Sequence, residues 1–197
     1  MLIAIDGPAG SGKSSAAKAL AKKLNIYYLN TGFTFRAIAY KKSTNFEIRF
    51  NKDKQAEIFI DEKKLDKELQ APEIDLLASK FAQNPQVRKF LVKKWQQAVF
   101  EKSAVIEGRD IAQVFPNADL KIYLTAKVWV RAKRIWLKYQ KLGIKKTLGQ
   151  IEADIKKRDN MDSKRKINPL KLSKDYQVID TTDMSVDDEV KAIIDKI

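Results

Sequence analysis

The sequence predicts an α/β protein: an open, mainly parallel sheet with helices packed on it and a small antiparallel insert. Three observations lead there. Short apolar runs alternate with helix-period stretches along most of the chain. The first run, Leu2-Ile3-Ala4-Ile5, passes through a glycine-rich loop directly into an Ala/Lys/Leu-rich segment. Residues 44–66 then break the rhythm with two strand-like runs around a polar turn.

The glycine-rich loop organises everything else. Gly7-Pro8-Ala9-Gly10-Ser11-Gly12-Lys13-Ser14 fits G-x-x-x-x-G-K-[ST]. Its flanks are right for a phosphate-binding loop. A buried strand precedes it, and Ser14 to Leu24 carries Ala17, Leu20, Ala21 and Leu24 at helical spacing. Glycines let successive N–H groups turn inward toward phosphate oxygens, and the positive end of the helix dipole faces the same anion. Lys13 is expected to reach the β- and γ-phosphates, and Ser14 to offer its hydroxyl to Mg²⁺. The motif implies a nucleoside triphosphate without saying what it is used for.

The remaining elements follow in order. Ile26-Tyr27-Tyr28-Leu29 reads as a second strand, with Asn30 or Thr31 capping a helix that carries Arg36. Thr31 at this strand end is either a cap or a ligand contact. Phe46 to Phe50 and Glu57 to Ile60 form the inserted hairpin, with a third short element at Lys64-Leu65. Pro72 opens a helix through Phe81. Asn84-Pro85 caps and starts the next, which is expected to reach about Lys102. Ser79 and Arg88 therefore sit on two helices that meet at a corner.

Ala104-Val105-Ile106-Glu107 is the next buried strand and ends in Gly108-Arg109-Asp110. That tripeptide is a tight turn with an internal ion pair, or a cation and a carboxylate delivered to a ligand crevice. Leu120 to Leu124 is a strand, and Thr125 is expected to cap a long helix carrying Arg131 and Arg134. From about Leu148 to Lys166 runs a charged helix. There Arg158, Asp162 and Arg165 share a face, although spacing alone favours a solvated, salt-bridged surface. Tyr176 to Asp180 is the last strand, and Val186 to Ile197 a closing helix.

Composition narrows the function. With 197 residues, one domain with an insertion is expected. There is no cysteine and no histidine, which removes disulfides, thiolate metal sites and imidazole acid–base chemistry. No segment approaches the roughly 18 apolar residues of a membrane span. No leader is expected ahead of the first strand, so a cytoplasmic location is the default. The net charge of +14 is spread Lys rather than a basic stripe, so no nucleic-acid partner is expected. A nucleic-acid-binding ATPase is the rival that this charge keeps open.

Arginine is the informative residue. It occurs only at positions 36, 49, 88, 109, 131, 134, 158 and 165, whereas the other 31 of 39 basic residues are Lys. A chain so biased toward Lys has little reason to use Arg except where a planar fork grips an anion. Each Arg is thus a candidate contact to phosphate or base. Arg49 is most simply an exposed hairpin residue.

Several of these stretches together resemble one family. They are Ile5 to Ser15, Asn30-Thr31-Gly32 with Arg36, Glu107-Gly108-Arg109-Asp110-Ile111, Arg158-Asp159 with Asp162 and Arg165, and Asp180-Thr181-Thr182. Over essentially the whole length they resemble the bacterial-type cytidylate (CMP) kinases, which are P-loop nucleoside monophosphate kinases. The resemblance implies a three-layer P-loop kinase fold with a central parallel five-stranded sheet. It implies a core of 1–40, 86–150 and 170–197, an acceptor-binding insert at about 41–85 and a helical lid at about 151–169.

The implied activity is γ-phosphoryl transfer from ATP to CMP or dCMP, with Mg²⁺, by a monomer. The implied ATP contacts are Gly7 through Ser15, with Arg131 and Arg134. Thr31, Arg36, Arg109 and Arg165 would hold the acceptor phosphate or its surroundings, and Arg158 the transferring group. Asp162 would accept from the ribose hydroxyls. Ser79, Arg88 and Asp110 would read the cytosine edge. The chain departs from the family pattern at Asn30 and Phe35, where Asp and Tyr are more frequent, and at Gln70 and Met161, where Arg is.

Overall fold

Ile3, Ala4 and Ile5 have no solvent exposure, because the first strand runs through the middle of a sheet covered on both faces. The structure is a computed structural model. It describes the backbone of residues 1–197 and every side chain except those of Lys67, Gln70 and Pro72. The departure at Gln70 therefore lies outside the described side chains.

The chain runs β1 (Leu2–Asp6), α1 (Lys13–Lys23), β2 (Tyr27–Asn30), α2 (Thr31–Lys41), β3 (Glu47–Phe50), β4 (Ala56–Ile60) and β5 (Lys63–Leu65). A short 3-10 turn leads into α3 (Pro72–Phe81) and α4 (Pro85–Ala98). Then come β6 (Ala104–Glu107), α5 (Ile111–Val114), β7 (Leu120–Thr125), α6 (Val128–Lys141), α7 (Leu148–Lys164), β8 (Gln177–Asp180) and α8 (Val186–Ile194).

Five strands make one parallel sheet in the order β2-β6-β1-β7-β8. Ile3 of β1 lies opposite Val105 on one side and Leu120 on the other. This is the expected α/β architecture. One face packs on α1 and α8 through Ala16, Leu20, Val190 and Ile193. The other packs on α2 and α4 through Ile38, Leu91 and Trp95. The insert is a three-stranded antiparallel sheet, β3-β4-β5, so the short element after the hairpin is a true third strand.

Some boundaries differ from those the sequence predicts. Asn30, not Thr31, caps α2: its side chain accepts from Phe33 N at 3.3 Å. Thr31 is the first helical residue. Thr125 does not cap α6; it closes β7, and its carbonyl accepts from Thr181 N at 2.8 Å. The helix from Pro85 ends at Ala98 rather than near Lys102, since Glu101 takes a left-handed φ of 54°. The single turn α5 carries too short an apolar pattern to be legible. Phe35, at a position where the family favours Tyr, packs edge-to-face on Trp95 at 5.7 Å and needs no hydroxyl.

All five sheet strands point their C-terminal ends the same way, so the segments that follow them converge on one rim. Asp6 ties that rim together. Its carboxylate accepts from Ile111 N at 2.8 Å, Ala112 N at 2.9 Å and Tyr176 Oη at 2.8 Å. This fixes the turn that carries Arg109 and Asp110. Burial pushes its carboxyl up to about 6 despite those donors. Asp6→Ala leaves three buried donors unpaired and is expected to cost at least about 2 kcal/mol, measured as a shift in urea midpoint.

Candidate active site

The loop after β1 bends as only glycines allow. Gly12 takes φ 94° at the entry to α1, and a Cβ there would come 2.6 Å from Glu189 Oε1. A Cβ on Gly7 would meet the Leu124 carbonyl oxygen at 2.1 Å, so the loop lies tight against β7. Lys13 is buried, and its ammonium donates to Pro8 O at 2.7 Å and Ser11 Oγ at 3.3 Å. Burial, followed by the field of Arg109, pulls it well below the ordinary lysine range. Ser14 and Ser15 are exposed on the first turn of α1.

This loop forms one wall of a cleft of about 910 Å³. Ala9 through Ser15 line it, as do Thr31, Arg36, Ser79, Arg109, Asp110, Arg134, Arg158, Asp162 and Arg165. Segments separated by more than a hundred residues in sequence thus meet in one space. Gly7, Pro8, Arg88 and Arg131 stand behind the wall. Arg131 donates to Ala9 O at 3.0 Å and Ala126 O at 3.0 Å, bracing the loop from outside. Arg88 is fully buried, donates to Ala82 O at 3.1 Å and pairs with Asp110. Arg49 lies on the exposed insert, paired with Glu47 and Glu62.

The arginines are each held by a carboxylate or a carbonyl. Arg109 pairs with Asp162 at 2.7 Å and donates to Gly7 O at 2.5 Å. Arg165 pairs with Asp110 at 2.8 Å. Arg131 pairs with Asp159 at 2.7 Å, and Asp159 also accepts from the Ala9 amide of the loop at 3.4 Å. Arg36 pairs with Asp75 at 2.6 Å. Arg134 donates to Thr181 O at 2.6 Å and Thr181 Oγ1 at 2.9 Å. Burial raises the Asp162 carboxyl, yet the charges of Arg109, Arg158 and Arg165 more than offset it and hold it below the usual range. Arg158 and Asp162 on α7, with Arg165 just past its C-terminal end rather than inside the expected helix, turn toward the cleft rather than solvent.

A model of the cytidylate kinase family matches residues 3–197. The chain belongs to the cytidylate kinase family. The curated cytidylate kinase of Thermotoga petrophila is 41% identical over 208 residues, covering 98% of this chain and 94% of that one. That of Alkaliphilus oremlandii is 40% identical over 98% of this chain and 95% of its own. Among solved structures, a shikimate kinase from Bacteroides thetaiotaomicron superposes with TM-score 0.56 at 11% identity, covering 100% and 97% of the two chains. At that identity it speaks for the fold alone, which is the P-loop kinase fold expected above.

Sequence reasoning missed several residues of this family member's cleft. Glu107 lines the cleft, accepts from Tyr28 Oη at 2.6 Å, and its carbonyl accepts from Thr31 Oγ1 at 2.7 Å. Asp159 braces the loop. Asp159 directly follows Arg158 and Glu107 lies two residues before Arg109, and that nearness is the signal the sequence offers. Asp75, Lys138 and Glu189 carry no motif.

Glu189, on α8, is buried behind Gly12, 3.5 Å from Arg134, and burial pushes its carboxyl up to about 7. Its folded form binds a proton more tightly than its unfolded form. Its contribution to stability therefore falls as pH rises from the ordinary carboxylate range, about 4.3, to about 7. Glu189→Gln removes that loss. Its melting temperature is expected to gain on the parent's across that interval, as thermal melts at pH 5 and pH 8 will show.

Proposed function

We infer that this chain transfers the γ-phosphoryl group of ATP to CMP or dCMP, giving ADP and CDP or dCDP. The observation that carries the reading is the full-length family match in a chain whose phosphate loop and arginine cluster face one cleft. The loop amides and the positive end of α1 hold the ATP phosphates. Lys13 leaves Pro8 O to reach the β- and γ-phosphates. Arg131 and Arg134 serve ATP, the first by bracing the loop. Thr31, Arg36, Arg109 and Arg165 hold the acceptor phosphate, and Arg158 the transferring group.

Asp162 takes the ribose hydroxyls. Ser79 and Asp110 face the cytosine edge, with Arg88 holding Asp110 from behind. A site that pairs a base's polar groups rejects the wrong base by leaving buried groups unpaired, at about 1–3 kcal/mol each. No general base is required, because the acceptor is already an anion. Catalysis is positioning and charge neutralisation. The insert at about 41–85 and the lid at about 151–169 close on the core and exclude water. The +14 charge serves anionic nucleotides rather than nucleic acid, since the arginines gather at the cleft.

The donors suit Mg²⁺ arriving with ATP. Ser14 offers a single exposed hydroxyl, and no cluster of three or more acidic side chains fit to hold a metal occurs among the described residues. Mg²⁺ typically keeps phosphate oxygens and water as most of its ligands. Bound beside Ser14, it would neutralise charge on the ATP phosphates.

The test is ADP release from Mg-ATP with CMP, dCMP, UMP, AMP or no acceptor. Release that depends strongly on CMP or dCMP is expected; equal release with and without every acceptor refutes the reading. Lys13→Ala is expected to abolish transfer while circular dichroism stays unchanged. Arg88→Ala is expected to blunt the CMP-over-UMP ratio of kcat/KM more than it lowers kcat, and an unchanged ratio removes this account of base choice.

A further inference from the structure

Asp75 sits on α3, within the insert, and its carboxylate faces cations from other elements. Oδ1 accepts from Arg36 Nε on α2 at 2.6 Å. Oδ2 stands 3.6 Å from Arg158 on α7. Lys138 on α6 lines the same part of the cleft, and its ammonium feels Arg36, Asp75 and Arg158 together. Three cations thus surround one anion at the cleft wall.

The cluster is short of negative charge. The Arg158 contact is too long for a hydrogen bond. Its Nε is buried with no hydrogen-bond partner among the described residues. Burial alone raises the Asp75 carboxyl, but the charges of Arg36 and Arg158 hold it below the usual range, so it stays ionised. A phosphate monoester carries close to two negative charges and three strong acceptor oxygens. It satisfies these cations better than one carboxylate can.

We propose that Asp75 is a built-in competitor for the acceptor's phosphate, holding Arg36 and Arg158 in the free protein, and yielding Arg36 to the phosphate monoester of the incoming nucleotide and Arg158 to the group transferred to it. The proposal rests on the reading that these two arginines meet the acceptor and the group transferred to it. Asp75 is then a positioning residue that sets acceptor affinity. It keeps mutually repelling guanidiniums in place before binding, at the expense of tightness when the phosphate displaces it.

The experiment compares Asp75→Asn, Asp75→Ser and Asp75→Glu with the parent. The two neutral variants are expected to bind CMP about three- to tenfold tighter by calorimetry, with KM for CMP falling in parallel and KM for ATP changing less. Asp75→Glu keeps the anion and is expected to stay within about twofold of the parent. KM for CMP that is unchanged or raised in neutral variants with normal melting temperatures overturns the proposal. A structure of the parent protein with CMP alone gives an independent test. Separation of Asp75 from Arg36 supports the proposal, and an intact 2.6 Å contact beside bound phosphate refutes it. If the parent neither binds CMP nor releases ADP in response to it, the functional reading falls and takes the proposal with it. Failure of the proposal alone leaves CMP-dependent release intact.

Discussion

Positive charge concentrated at one rim of a sheet is the constraint on which this structure depends. Seven arginines and Lys13 gather at or behind a single cleft. Like charges this close repel, and burial strips the water that would screen them. A cleft so built stays folded only if nearby carboxylates offset much of that charge. Asp75, Asp110, Asp159 and Asp162 supply it, and each is held at short range by at least one guanidinium. The carboxylates are as much a part of the site as the arginines.

The counter-charges also link segments far apart in the chain. Asp162 and Asp159 belong to α7, yet their partners are Arg109 after β6 and Arg131 on α6. Asp75 belongs to the insert and touches α2 and α7. The α7 segment, the insert and the rest of the protein are therefore joined through ion pairs as well as through shared apolar clusters. A phosphate can replace a carboxylate at an arginine with little change in geometry.

Beneath the rim the frame is rigid. Asp6 shares its carboxylate among two backbone amides and a tyrosine, locking the turn after β6 to β1. Arg131 locks the loop to α6 through Ala9 O, and Thr181 joins β8 to β7 through Thr125 O. These bonds cross between segments far apart in sequence. They hold the rim where apolar packing under the sheet, through residues such as Ile3, Ile5 and Leu124, has placed it.

The sequence by itself determined the parallel sheet, the inserted hairpin and the phosphate loop. Each is written in local chemistry: apolar runs of strand length, a polar turn, glycines at fixed spacing before a helix. The scarcity of Arg against Lys also marks out the cations of the cleft. Only the tertiary structure decided which carboxylate answers which arginine. Asp75 looks like any helix-surface acid, and Glu189 like one more acid in the first turn of an amphipathic helix. Charge pairing acts through space, between side chains that strand order and helix packing bring together, so no local pattern records it. For the same reason the α7 face that spacing assigns to solvent turns inward: helical periodicity says which residues share a face, and packing alone says what that face meets.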